Sequence, residues 1–140
     1  MIVYLSPFEN SDENYTCFNN IAAFLRGVLD SEATQVVCDG FFSSVDYVDL
    51  ANILPIICKK IRLNGELVVK DLDASLIAHH IFKNKYPLQE INQKVIKSRT
   101  MKCLMDIEDV ERAIANHVQI TAKHFDDSMC EFVIKAKRIR

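Results

Sequence analysis

The sequence predicts an α/β domain, a three-layer sandwich around a mixed, mostly parallel sheet of about five strands that closes with an antiparallel hairpin. Two observations carry this expectation. Short β-rich apolar runs, "MIVYL", "TQVVCDGFF" and "ELVVKDL", alternate with stretches of helical period through the first half. That alternation implies right-handed crossovers and parallel pairing. Two closing strands, "VQITAKHF" and "EFVIKAKRI", are separated by little more than "DDSM", a link short enough to force an antiparallel turn.

Taken in order, the first strand stops at Ser6-Pro7 and runs into the polar loop "ENSDEN". From Thr16, the residues Phe18, Ile21, Ala22, Leu25 and Leu29 recur at helical spacing and predict a helix ending near Asp30. "TQVVCDGFF" is the second strand, broken at Asp39-Gly40. The next helix carries Val48, Ala51, Leu54, Ile57, Cys58 and Ile61 toward the core; Pro55 inside it removes a backbone bond and predicts a bend near Asn52. Asn64-Gly65 turns the chain into the third strand, and Asp73 caps a helix bearing Leu76, Ile77, His80 and Ile81. Pro87 suits the first turn of a further helical stretch with Leu88, Ile91 and Val95 on one face. In "DIEDVERAIAN", Asp106 is the N-cap, acids fill the first turn, and Ile107, Val110, Ala113 and Ile114 form the apolar stripe.

A chain of 140 residues without linker, repeat or low-complexity segment fits one domain, residues 1–140. A hydrophobic content of 49% and a charged content of 26% are ordinary for a globular protein and exclude disorder of the whole chain. The formal net charge of −2 sets up no field toward nucleic acid or an anionic membrane, and the basic run "KAKRIR" reads as the solvated end of a strand. No apolar stretch approaches the roughly 20 residues a bilayer demands. Cys17, Cys38, Cys58, Cys103 and Cys130 are widely spaced and form no CxxC pair, and no secretory leader is apparent. They read as reduced core thiols of a cytoplasmic protein.

From Thr34 to the end, about three quarters of the chain, the sequence resembles the second half of a class I, Rossmann-like S-adenosylmethionine-dependent methyltransferase. "QVVCDGFFSSVDYVDLANILPIICKKIRLNGELVV" resembles that family's central segment, and "LMDIEDVERAIANHVQITAKHFDDSMCEFVIKAKR" its closing helix and reversed hairpin. The resemblance implies a truncated fold of that kind. In the family the first strand enters a glycine-rich loop against the cofactor; here it enters "SPFENSDEN", which holds no glycine, and one helix separates it from Val36 and Val37. That spacing leaves no room for the family's second and third strands. Only Gly65 remains of the glycine pair before the third strand, and the whole chain has just Gly27, Gly40 and Gly65. Pro7, Phe8 and Glu9 supply neither positive φ nor space for a ligand.

If the family's pocket persists, the resemblance places cofactor contacts at Ser6, Asp39, Gly40 and Phe41. Asp39 at a strand's carboxyl end suits a ligand site, and equally a cap on the turn with Gly40. Phe41 and Phe42 could stack on a base or fill the core. Asp71 and Asp73 share a strand face and could hold a metal, but Asp73 already serves as an N-cap and no metal is expected. His79 and His80 stand about 100° apart on a helix and cannot easily share an ion; His80 reads as a hydrogen-bonded core histidine, and His117 and His124 lack an acid or cysteine at ligand spacing. No catalytic residue is assigned. The expected role is therefore a non-catalytic structural or interaction subunit without cofactor, whose N-terminal edge strand, residues 1–5, pairs with a second copy or a larger partner. A regulatory partner of an active methyltransferase and a building block of a viral particle are its variants. The alternative is a minimal S-adenosylmethionine-dependent methyltransferase, or a nucleoside-binding domain with an altered first loop.

Overall fold

The computed structural model describes residues 1–83, 87–93 and 101–140. Six strands, β1 (Ile2–Leu5), β2 (Thr16–Phe18), β3 (Ala33–Asp39), β4 (Ile61–Leu72), β5 (Val118–Asp126) and β6 (Glu131–Arg138), form one sheet in the order β2-β1-β3-β4-β6-β5. The first four run parallel, and β6 lies antiparallel to both β4 and β5. The mixed sheet and its reversed closing hairpin are those the sequence predicts, with one strand more.

The additional strand corrects three expectations, the first being that the spacing before Val36 leaves no room for a second strand beside β1. Thr16–Phe18, read from sequence as the start of a helix, pairs with β1 through Val3↔Thr16, Tyr4↔Cys17 and Leu5↔Phe18. Hence β1 is not the edge of the sheet but is paired on both sides, and the edge is the three-residue β2. The helix that follows, α1 (Ile21–Gly27), starts at Asn20, whose side chain accepts from Ala23 N at 2.8 Å. Its buried residue is Phe24, with Val28 just beyond, whereas Leu25 and Leu29 are exposed. Burying one such phenylalanine is worth about 2–3 kcal/mol, so this register decides where α1 sits.

Strand alternation sorts the side chains into two faces. Val3, Val36, Leu67 and Ala136 form one cross-strand row, and Leu5, Cys38, Val69 and Ile134 the next; all eight are buried. Against this face pack α1, α2 (Leu50–Lys60) through Leu50, Leu54, Ile57 and Cys58, and α5 (Ile107–Ile114) through Ile107, Val110 and Ile114. α2 runs unbroken through Pro55; it starts only at Leu50, after a tight turn at Tyr47–Asp49 that leaves Val48 exposed. α5 has the predicted stripe and a full capping box between Asp106 and Asp109.

The third layer is small. α3 (Ala74–Phe82) and α4 (Leu88–Ile91) pack Ile77 and Ile91 onto Leu72 and Cys130 at the carboxyl end of β4. Val95, expected on the face of α4, lies outside the described residues. The Asn64-Gly65 turn survives as an excursion inside β4: Ala33 pairs with Ile61 but Gln35 with Glu66, and Asn64 takes φ 65°. A β-carbon on Gly65 would stand 2.6 Å from Ile61 Cγ2 and 2.8 Å from the Thr34 carbonyl oxygen, so glycine is required there by contact.

Candidate functional site

The connection from β1 leads outward to β2, while those after β2 and β3 lead the opposite way across the sheet. The order therefore reverses between β1 and β3, and ligands of open α/β sheets gather in the crevice at the carboxyl ends of two such strands. Ser6 and Asp39 stand at those ends.

The crevice is bridged by the chain itself. Tyr4 alternates with Val3 and Leu5, so its ring points away from the helix-covered face, and its hydroxyl donates to Asp39 Oδ2. Burial, then the Asp39 carboxylate, hold the Tyr4 hydroxyl well above the ordinary tyrosine range, so it keeps its proton and remains a donor. Tyr15 rests on Tyr4 with ring centroids 5.6 Å apart. Ser6 is buried; its amide continues the β1–β2 pairing to Phe18 O at 3.1 Å, and its Oγ accepts from Phe8 N at 3.1 Å, folding residues 6–8 into a local turn.

Gly40 takes φ 65°, the left-handed region that the break after β3 requires, and its amide donates to Lys70 O at 2.8 Å. Phe41 and Phe42 pack edge to face at 5.3 Å and are buried with Leu54 and Val110 in the main core. Phe41 therefore offers no face to a base.

An open groove of about 470 Å³ runs along Ser6, Phe8, Glu9, Asn10, Cys17 and Asn19 toward α1. It lies on the β2 side of β1, and of the four candidates only Ser6 reaches it. Asp39 and Gly40 stay on the other side, with Tyr4 between. Cys17, expected in the core, is exposed on β2 and lines this groove. Tyr4 and Tyr15 were missed from sequence, although the alternation in "VYL" already turned Tyr4 to the second face.

The acidic pair Asp71 and Asp73 is engaged with backbone. Asp71 accepts from Ser43 N at 3.0 Å and Leu72 N at 2.8 Å; Asp73 accepts from Leu76 N and from Ile107 N, both at 2.9 Å. Asp73 thus caps α3 and also holds the start of α5. His80 is buried, with Nε2 at 3.2 Å from the Asp127 carbonyl oxygen, as a core histidine. Among the described residues no group of three histidine, cysteine or acidic side chains is placed to hold a metal. The basic terminus has a structural role: Arg138 donates to the carbonyls of Lys59 and Ile61 and to Ser31 Oγ, closing the end of α2.

No known protein family and no curated protein matches the sequence. Solved structures do match the fold. A "possible exported protein" from Bordetella parapertussis aligns at a TM-score of 0.64 with 11% identity, over 90% of this chain and 45% of that one. A SAM-dependent methyltransferase from Methanosarcina mazei aligns at 0.58 with 12% identity, over 89% and 66%. Geranyl diphosphate C-methyltransferase from Streptomyces coelicolor, solved with Mg²⁺, geranyl diphosphate and S-adenosyl-L-homocysteine, aligns at 0.54 with 11% identity, over 80% and 48%. The chain spans about half to two thirds of the length of these proteins. At such identities the likeness establishes the fold, which is that of the class I methyltransferases, and leaves function to the site.

Proposed function

We propose that this chain is a non-catalytic, cytoplasmic interaction domain built on the methyltransferase-like fold, a structural or regulatory subunit that works without a bound methyl donor. The observation that carries this reading is the Tyr4–Asp39 hydrogen bond across the switch crevice. The acid at the end of β3 is already satisfied by the protein's own hydroxyl. The residues entering the crevice, Ser6, Pro7, Phe8 and Glu9, include no glycine that would let a backbone amide approach a nucleoside. Glu9 also lines the groove beside Ser6, where its carboxylate opposes an anionic group. Both features speak against S-adenosylmethionine in this crevice.

The minimal methyltransferase or nucleoside-binding reading is favoured by one feature, the groove beside Ser6, whose volume falls in the range of small-molecule pockets. Calorimetric titration with S-adenosylmethionine and its demethylated product separates the two. The interaction reading expects no saturable heat at millimolar ligand. Micromolar binding that also raises the melting temperature would establish the second reading instead.

A further inference from the structure

We infer that the groove beside β2 is the docking site for one extended segment of a partner protein, a segment that carries a lysine or arginine side chain into the groove; this deepens the interaction reading and rests on it. The strand β2 is the outer edge of the sheet. Ser6 N donates to Phe18 O, and the register Leu5↔Phe18 fixes which groups of β2 the ladder uses. In a parallel ladder alternate residues bond the same neighbour, so Thr16 and Phe18 turn their backbone groups toward β1, and Cys17 turns its N–H and C=O to the open side. Cys17 is exposed and also lines the groove. A donor and an acceptor open on one edge residue are what an added strand pairs with. The edge is three residues long, so pairing alone is weak and the groove has to supply the rest.

The walls of the groove select the side chain. Pro7, Phe8, Phe18 and Ala23 give it apolar sides, and Glu9 and Asn10 give it a carboxylate and an amide. A lysine or arginine matches both, with its aliphatic stem against the rings and its cationic tip on the carboxylate. The charge of Glu9 is not met from within the protein: among the described residues it forms no ion pair. Between Met1 and Leu25 the chain holds Glu9, Asp12 and Glu13 and no lysine or arginine. The first cation, Arg26, stands in the last turn of α1. A segment bearing a carboxylate at this point meets like charge with no counter-ion from the groove. The volume, about 470 Å³, holds a long side chain together with its backbone flanks.

The test uses the full chain and three fluorescent peptides of about eight residues in alternating threonine and valine, identical except for a central arginine, glutamine or glutamate. The proposal expects saturable binding of the arginine peptide that weakens with salt, and roughly tenfold weaker binding of the glutamate peptide. Glu9→Gln should bring the arginine and glutamine peptides to equal affinity and leave the melting temperature unchanged, because Glu9 is exposed. The amide resonances of Phe8, Cys17 and Asn19 should shift together, with slowed hydrogen exchange at Cys17. Equal binding of the arginine and glutamate peptides, binding of none, an arginine preference that survives Glu9→Gln, or shifts confined to β5 would overturn the proposal. So would arginine amide binding as tightly as the peptide, which would assign the groove to a small cation. Slowed exchange at Cys17 that needs no peptide and grows with protein concentration would overturn it too, assigning the edge to a second copy. The methyl-donor titration is read separately: heat there refutes the non-catalytic reading, whereas failure here refutes only the choice of docking groove.

Discussion

Replacing Asp73 by alanine removes a side chain that joins the starts of two helices to the end of β4. Asp73 is 2% exposed, and its two carboxylate oxygens accept from Leu76 N in α3 and Ile107 N in α5. Alanine leaves both amides without that acceptor. A hydrogen bond to a charged group contributes about 1.5–3 kcal/mol and an N-cap about 1 kcal/mol, so the expected loss is about 2.5–4 kcal/mol. That is a large share of the roughly 5–15 kcal/mol that holds a domain together. Near this chain length it corresponds to a fall of about 10 °C or more in melting temperature. Urea unfolding followed by far-ultraviolet circular dichroism measures it directly. Asp106→Ala is the comparison: at a half-exposed site, where water can replace lost contacts, its side chain caps α5 on Asp109 N and bonds Ser75 N at 3.0 Å and Ser75 Oγ at 2.8 Å, and its expected cost is about 1–2 kcal/mol. Equal losses for the two variants, or a loss below about 1 kcal/mol for Asp73→Ala, would refute the double-cap account.

Three further outcomes follow from the same geometry. Arg138→Ala should cost about 2–3 kcal/mol in chemical denaturation because it uncovers the carbonyls of Lys59 and Ile61, whereas exposed Lys137→Ala should change stability by less than about 0.5 kcal/mol. Stability should fall on the alkaline side: Tyr4, Cys58 and Cys103 all hold their protons in the fold beyond their ordinary ranges, the two thiols to about 11, chiefly through burial. The unfolded chain releases these protons first, so their contribution is full below about pH 8.5 for the thiols and about pH 10 for Tyr4, and is lost as pH rises through the folded values. Thermal melts from pH 8 upward should show this decline, and Tyr4→Phe should flatten its upper part. Alkylation of the native protein with iodoacetamide, read by mass spectrometry, should modify Cys17 alone, since Cys38, Cys58 and Cys130 are buried and Cys103 is half-buried with Sγ on the Phe42 carbonyl oxygen; rapid labelling of Cys38 would contradict the packing.

Much of the fold was legible because its signals are local. "DIEDVERAIAN" carries its own cap, charge order and stripe, and all three recur in α5. The closing hairpin is set by the short distance between its strands. β2 was hidden for the opposite reason: three residues carry no usable period, and their strand state comes from pairing with β1, a long-range contact. The true cap signal, Asn20, sat inside the stretch that was read as helix, and the proposed stripe of Leu25 and Leu29 displaced Phe24, the residue that is buried. At the site, the ends of β1 and β3 and the absence of glycine after β1 were visible in the sequence. The Tyr4–Asp39 bond spans 35 positions and the second bond of Asp73 spans 34, and no local pattern reports such partners.

The most direct test of the central claim, that the protein's own side chains close the nucleoside crevice, is a heteronuclear NMR titration reading the backbone amides of Ser6, Phe8, Gly40 and Phe41 as S-adenosylmethionine is added to millimolar concentration. The closed crevice predicts that these resonances stay in place while Tyr4 and Asp39 remain joined. Saturable shifts of the Ser6 and Gly40 amides together, with Tyr4→Phe tightening the binding, would contradict it.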